Sequence, residues 1–450
     1  MTRPSRRIWR CIPVRLFLVF LVVYGLTAGV SLGRHSLAPH FVYLAESFLQ
    51  GHLHLLHVPD PPYDLTSFAG RWYVSFPPLP AVLMLPLVAV RGLAVSDVAF
   101  SVVLGALSVV LFYLVLVRLG VRGLRLRMWL CVLLGLGTPL WYCAAFGSVW
   151  YTAHVVAVAC LCLYLLEVVG RNRPVWAGLW LGLGFLARAP VLLAFPLSVV
   201  LGLQRSHHRR AAVQFLFLFA LGTAPALLGQ AVYNWTRFGS PLEFGYRWMN
   251  SPGLLLERQE NWGQFSLHFL PENLYTLLIR PPLVSLAPLR VVPDPWGMGL
   301  LFTCPALLLG VGGVLAKIGR QFTGCSCIGS SETLPAPSPS VVVSQVRFLR
   351  WGLYFAIALV LVPSLLYFNT GSYQFGYRFA LDWLPLGVLL IALRIDHELP
   401  WWGRVLIVIS VLMHFWGVLW MYPNFNGQPW LLQYVQRMHD LIHWAVDVAH

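Results

Sequence analysis

Long apolar runs, each closed by a short polar segment, repeat along the chain from residue 16 to residue 422. Most are about 17 to 25 residues long, the length a helix needs to cross a hydrocarbon core of ~30 Å. Spans are predicted near 16–32, 97–117, 128–146, 150–169, 175–187, 190–203, 212–233, 296–316, 351–368, 379–394 and 403–422. In lipid the backbone must satisfy its own hydrogen bonds, so these runs read as helices. The short alternating segments of a membrane barrel are not seen. One run is different: Pro77 to Val90 carries Pro77, Pro78, Pro80 and Pro86 and is too short to span, which predicts a re-entrant or interfacial helix. The fold class predicted is an all-α polytopic membrane protein with about 11 transmembrane helices and a long first outer loop carrying interfacial helices.

Composition agrees with the pattern. Hydrophobic residues make up 58% of the 450 and charged residues 10%, against roughly 25% charged in soluble domains, which excludes a water-soluble fold. The net charge of +15 would suit nucleic acid, but the basic residues sit in short clusters between apolar runs and read as topology. Arg3, Arg6, Arg7, Arg10 and Arg15 precede the first run, which has no A-x-A cleavage site and reads as an uncleaved signal anchor. With Pro77–Val90 kept out of the count of spans, Arg118, Arg122, Arg125 and Arg127 fall on the same side as that N-terminus. That side then holds most of the Arg and Lys, as the positive-inside bias requires, and most of the acids fall on the other. The expected topology is N-terminus cytoplasmic and C-terminus outside; the expected membrane is a bacterial plasma (inner) membrane, with a eukaryotic endomembrane kept open.

Two outer loops are long, 33–76 and 234–295, and both mix Trp, Tyr, Arg, acid and Pro. Loops of this length carry function or disorder, and the aromatic content favours function. The inner loop 317–350 contains a Ser- and Pro-rich stretch, Ser330 to Ser340, expected to be a flexible linker. It divides a core, 1–316, from a C-terminal helical set and outer tail, 351–450. Cys11, Cys131, Cys143, Cys160, Cys162 and Cys304 lie in or beside spans, and Cys325 and Cys327 share the inner loop, so neither a disulfide framework nor a zinc-ligand spacing is read. His35, His40, His52, His54 and His57 crowd the first outer loop without a Cys or close carboxylate to complete a metal set, so no metal and no cofactor is expected.

The first outer loop opens Pro39-His40-Phe41-Val42-Tyr43-Leu44-Ala45-Glu46-Ser47-Phe48-Leu49-Gln50-Gly51. Apolar positions 41, 44, 45, 48 and 49 recur at helical spacing and Gly51 marks a stop, which predicts an amphipathic helix at the outer interface. The segment from Asp64 through Arg71-Trp72-Tyr73 to Pro77-Pro78-Leu79-Pro80 reads as a hairpin or irregular loop whose Pro-rich end enters the membrane surface. Further on lie Gly178-Leu179-Trp180-Leu181-Gly182-Leu183-Gly184-Phe185-Leu186-Ala187-Arg188-Ala189-Pro190, Asn234-Trp235-Thr236-Arg237-Phe238-Gly239-Ser240-Pro241, and Phe375-Gly376-Tyr377-Arg378-Phe379. Phe-Gly-Tyr-Arg occurs at both 244–247 and 375–378.

In the order of these parts the chain resembles the GT-C superfamily of integral membrane glycosyltransferases, the group that includes protein O-mannosyltransferases and aminoarabinose transferases. The resemblance covers most of the first 250 residues. It implies transfer of a hexosyl or pentosyl group, with inversion, from a polyprenyl-phosphate carrier to an acceptor at the outer face, with membrane lipid as the donor's medium. Such transfer needs a carboxylate to deprotonate the acceptor hydroxyl and cations to hold the phosphate leaving group. Where the superfamily carries an early acidic pair, this chain has Pro39 and His40. Asp64 is the first substitute base and Glu46 the second, with His40 in the acceptor pocket; the plainer alternative for each acid is a solvated loop position. Arg71, Arg188, Arg247 and Arg378 are the donor-phosphate candidates, since a guanidinium meets phosphate oxygens with a planar fork. Asp382 follows Arg378 by one turn, so an i,i+4 ion pair is the alternative there. Tyr43, Trp72 and Tyr73 are the candidate acceptor or sugar contacts. Two other functions stay open: a lipid or solute transporter or flippase, and an inactive relative that binds lipid-linked sugar.

Overall fold

The computed structural model of the protein describes residues 6–206, 208–251, 253–286, 289–311, 339–395 and 398–425. Most of the expected inner loop 317–350, with its linker and with Cys325 and Cys327, and the tail beyond residue 425 lie outside the described residues. What is described is almost wholly helical, with two small antiparallel hairpins.

The first span is α1 (Arg6–Ala28). Three elements of the first long loop follow: α2 (His40–Leu49), a hairpin of β1 (Thr66–Phe68) and β2 (Arg71–Tyr73), and α3 (Leu79–Arg91). Next come α4 (Asp97–Arg118), α5 (Leu124–Leu136), α6 (Leu140–Phe146), α7 (Val149–Val168), α8 (Pro174–Phe185), α9 (Pro196–Arg205) and α10 (Arg209–Phe238). The second long loop holds α11 (Gly253–Trp262), α12 (Leu270–Leu278) and a hairpin of β3 (Leu283–Leu286) and β4 (Leu289–Val292). Two single turns, α13 (Leu300–Thr303) and α14 (Leu308–Val311), precede α15 (Pro339–Leu366), α16 (Leu384–Ala392) and α17 (Trp401–Phe425).

The all-helical membrane architecture read from the sequence stands, and the chain is a multi-pass membrane protein. The count of eleven is not reproduced in full-length helices. Among the described residues six helices are long and apolar enough to span: Cys11–Gly33, Asp97–Arg118, Val149–Val168, Arg209–Phe238, Val346–Leu366 and Trp401–Met421. The pair α5 and α6, bent by 56° between them, makes a seventh if it is one span. The runs 175–187, 190–203 and 379–394, and the described part of 296–316, instead fold as shorter helices and 3-10 turns. Proline is the physical reason: Pro190, Pro196, Pro305 and Pro385 each stand at the start of an element, where a missing N–H is tolerated, and so divide what hydropathy alone runs together.

Local chemistry sets the ends that matter for the site. Ser96 caps α4 by accepting from the Ala99 amide, and Asp97 in the first turn and Arg118 in the last complement the helix dipole. The Asp97 carboxylate also accepts from the Ser36 amide at 2.8 Å and from the Ser148 amide at 3.3 Å, so one buried acid ties the first long loop to the start of α7. The β1–β2 turn places Ala69 and Gly70 both at positive φ, the two-residue turn whose twist matches a hairpin. The segment expected to be a hairpin or irregular loop is thus a hairpin. Helix α2 forms where its spacing predicts, but it is buried at His40, Phe41, Val42, Leu44, Ala45 and Ser47 and packs on α3 in a second apolar cluster. It is enclosed on more than one face. Leu353, Ala356, Leu389 and Ile407 of the C-terminal helices share one apolar core with Phe20, Phe112 and Val155.

Candidate functional site

The two long loops meet at the end of the bundle where α1 finishes, and Asp64 stands at their junction. Its backbone is left-handed at φ 50, a conformation Asp tolerates better than most residues. The Asp64 amide donates to the Asn250 carbonyl at 3.3 Å, the Asn250 amide donates to Leu65 at 2.8 Å, and Asn250 Nδ2 donates to Pro62 at 3.3 Å. The second loop therefore grips the first on both sides of the acid. A third hold comes from His40, whose Nε2 lies 2.5 Å from the Tyr63 carbonyl. Burial lowers the His40 pKa to about 4, so the ring is neutral and Nε2–H is the donor to that carbonyl.

The carboxylate points inward. Trp150 Nε1 donates to Asp64 Oδ2 at 2.7 Å. Burial raises the Asp64 pKa above the ordinary carboxylate range, while the Trp150 hydrogen bond and the nearby Arg378 charge pull the other way. Arg378 belongs to a turn shaped for it. Gly371 sits at φ 110, and a Cβ there would meet the Gln374 side chain at 2.6 Å. With the loop so closed, Arg378 Nη1 donates to the Gly371 carbonyl at 2.8 Å and to Ser372 at 3.2 Å, and Gln374 accepts from the Arg378 amide. The guanidinium lies over the Tyr151 and Phe379 rings at 5.6 and 5.3 Å. Among the described residues no carboxylate is ion-paired with it, and its buried Nε has no hydrogen-bond partner.

Arg188 completes the cluster. Its Nε and Nη2 donate to the two oxygens of Asp382 at 3.2 and 2.9 Å, and His154 Nδ1 lies 3.2 Å from Asp382 Oδ1. The i,i+4 pairing of Arg378 with Asp382 does not form, because residues 378–382 are a 3-10 turn that aims Asp382 across the bundle to Arg188. Tyr246, from the second loop, is within electrostatic reach of Arg188 and Asp64 and is pushed up to about 12, chiefly by burial. Tyr367 shares the fields of Tyr246, Arg188, Asp64 and Arg378. Two acids, Asp64 and Asp382, two guanidinium groups and a wall of tyrosines thus converge from segments far apart in sequence. Chemically the arrangement offers a base of raised pKa facing a cation with unspent donors.

Other sequence candidates lie elsewhere. Glu46 turns to His57, Oε2 to Nδ1 at 2.9 Å. Arg71 is exposed on β2. Arg247 has a side chain 67% exposed, lies 3.9 Å from Glu243 and rests over Trp248. Tyr43 meets the His35 ring edge-on at 5.9 Å, Tyr73 packs against Phe238 at 5.4 Å, and Trp72 joins the second apolar cluster. Arg237 is held inside by Val74 and Asn234 and stacks on Tyr233 at 3.6 Å, which makes it a tie between the hairpin and α10. Among the described residues no three His, Cys, Asp or Glu side chains are grouped to hold a metal. His154, Trp150 and Tyr246 are not among the site residues expected from the sequence. His154 leaves a signal as an ionisable residue inside an apolar run, and Tyr246 as part of the Phe-Gly-Tyr-Arg repeat at 244–247.

No protein-family model matches the chain, and no curated protein does. Two solved structures are similar to it. ArnT from Cupriavidus metallidurans, in a crystal structure with undecaprenyl phosphate bound, superposes with a TM-score of 0.46 at 14% identity over 89% of this chain and 63% of that one. The archaeal oligosaccharyltransferase AglB from Archaeoglobus fulgidus, in complex with an inhibitory peptide and a dolichol-phosphate, gives 0.45 at 14% identity over 92% of this chain and 56% of that one. The chain therefore spans less than two thirds of the length of either.

Proposed function

We propose that this chain is a GT-C-like glycosyltransferase that moves a sugar from a polyprenyl-phosphate carrier to an acceptor hydroxyl, at the face carrying the two long loops and outside the cell. The observation that carries the reading is the placement of Asp64 within the field of Arg378, a buried cation that no carboxylate among the described residues pairs with. The resemblance in the order of motifs along the first 250 residues points the same way.

In this reaction the acceptor oxygen attacks the anomeric carbon as Asp64 takes its proton. The bond from that carbon to the phosphate oxygen breaks, and its electron pair leaves with the polyprenyl phosphate. Inversion follows from attack on the face opposite the leaving group. The open donors of Arg378 meet the charge that grows on the phosphate, and Arg188 adds a second cation whose direction is fixed by Asp382. His40, Asn250 and Trp150 hold the base in place. Arg71, Arg247 and Glu46 take no part in this version of the site.

The test is transfer of labelled sugar from a panel of polyprenyl-phosphate sugars in proteoliposomes. Asp64→Asn is expected to lose about 10²–10⁴-fold in turnover, the usual worth of a positioned general base. Arg378→Gln is expected to lose about 10²–10³-fold, the worth of one charge-stabilising donor group. Full activity in Asp64→Asn would remove the mechanism; donor binding without product in the parent would make the chain an inactive relative, and donor crossing the bilayer unchanged would make it a flippase.

A further inference from the structure

The end of the bundle remote from Asp64 has a chemistry of its own. Helix α10 contains 30 residues, about 45 Å at 1.5 Å per residue. Its C-terminal Arg237 and Phe238 reach the hairpin beside the candidate site, so its N-terminal Arg209 and Arg210 stand at the opposite end. There a cavity of about 380 Å³ opens between the loop before α8, the end of α9 and the start of α10. Arg171, Asn172, Arg205 and Ser206 form its polar side, and Phe215 and Leu218 its apolar side.

We infer that this cavity binds the headgroup phosphate of an anionic phospholipid. The charge balance is one-sided. The neighbouring acid, Glu167, is already occupied by a two-pronged bond to Arg173 at 2.9 and 2.7 Å. Among the described residues no carboxylate pairs with Arg171, Arg205, Arg209 or Arg210, although Arg205 Nη1 reaches the Gly170 carbonyl at 3.5 Å. Arg118 adds to the positive field, acting on Glu167 from the end of α4. The lining is also two-faced in the way a lipid is: guanidinium groups suit a phosphate diester, and Phe215 and Leu218 give the cavity an apolar wall against which an acyl chain would lie. Basic pockets between membrane helices take anionic headgroups for these reasons. A free phosphate would use the cations and leave the apolar wall unused.

The inference stands apart from the proposed transfer reaction, and its test does not measure transfer. The full-length protein is reconstituted in equimolar phosphatidylglycerol and phosphatidylcholine, extracted, and examined by native mass spectrometry, with thermal unfolding in detergent as a second readout. The parent is expected to retain phosphatidylglycerol over phosphatidylcholine, and its midpoint to rise on adding phosphatidylglycerol and not inorganic phosphate. The double variant R171Q/R205Q is expected to retain at least about fivefold less, while Arg91→Gln, at the other end of the bundle, behaves as the parent. Equal retention of the two lipids by the parent overturns the inference whether or not the variant folds. So does retention in R171Q/R205Q that matches the parent, and a midpoint shift reproduced by inorganic phosphate alone would make this a free-anion site instead of a lipid site.

Discussion

At the scale of single residues, Asp64 and His40 are two buried titratable groups whose consequences run in opposite directions. Asp64 has its pKa raised chiefly by burial, so the fold favours its neutral form and the stability it contributes is lost as pH rises through the folded-state value. Asparagine at 64 keeps an oxygen for Trp150 and removes the buried charge. Asp64→Asn is therefore expected to unfold at the same temperature as the parent or higher while its turnover falls, and the parent's rate should climb with pH along a limb above the ordinary carboxylate range. Circular-dichroism melts beside a pH–rate profile check both; a marked drop in melting temperature would mean that the charge holds the loop and is not there for chemistry. His40 behaves oppositely. Its folded pKa of about 4 lies below the unfolded value of 6.5, so the unfolded chain takes up a proton first as pH falls. The stability lost across pH 6.5 to 4 amounts to about 3 kcal/mol. His40→Gln keeps an N–H for the Tyr63 carbonyl and cannot titrate, and its melting temperature is expected to vary less over that window than the parent's. The sequence placed Asp64 and His40 in one loop, but only the fold joins them, because a carbonyl at Tyr63 as the partner of a histidine 23 residues away leaves no mark on side-chain identity.

At the scale of elements, the glycine run before Arg188 has a packing explanation. A Cβ at Gly178 would stand 2.2 Å from the Phe219 carbonyl oxygen, one at Gly182 would meet Ala226 Cβ at 2.8 Å, and one at Gly222 would meet the Val175 carbonyl at 2.1 Å. Helices α8 and α10 thus touch backbone to backbone, the small-residue contact by which membrane helices gain van der Waals attraction. Thr223 Oγ1 bridges the contact by donating toward the Phe219 and Gly178 carbonyls. Gly178→Ala is expected to destabilise by about 1–3 kcal/mol, the cost of overpacking a closed contact, whereas Gly229→Ala, on α10, meets nothing within 4 Å and should be close to neutral. Thermal unfolding of both in one detergent decides between packing and mere helix propensity, which would favour alanine at each. The sequence marks this run as Gly-rich but does not show that α10 is the partner it packs on, because the facing residues lie some forty positions further along the chain. The sequence already parts 175–187 from 190–203; the 3-10 turn Ala189–Ala194 ahead of α9 is less readable, because hydropathy averages over Pro196, which sets it. For the same reason the spacing of Arg378 and Asp382 suggested a helical pair, while the tight turn at 378–382 sends the acid to Arg188 and His154.

At the scale of the whole molecule, the two ends of the bundle divide the charged residues by role. The end with the long loops holds Asp64, Asp97, Asp294 and Asp382, each buried or partly buried with named donors around it. The other end holds exposed arginines, Arg122, Arg125, Arg171, Arg209 and Arg210 among them. Membrane insertion keeps Lys- and Arg-rich short loops in the cytoplasm, and this division is the reason the proposed reaction places Asp64 outside, where a lipid-linked sugar would meet an extracytoplasmic acceptor. That orientation can be measured without knowing the substrate. The described cysteines other than Cys11 are buried, so with Cys11 and the loop cysteines Cys325 and Cys327 all replaced by Ser, a single cysteine introduced at an exposed site reports its own side of the membrane. Arg247→Cys, in the second long loop, is expected to react with a membrane-impermeant maleimide on intact cells; Arg210→Cys is expected to react only after permeabilisation. The reverse result would put Asp64 and Arg378 in the cytoplasm. The cluster would keep its geometry there, but the donor would have to present its sugar to the cytoplasmic leaflet, and the transfer proposed for the outer face would have to be replaced by one that uses a cytoplasmic acceptor.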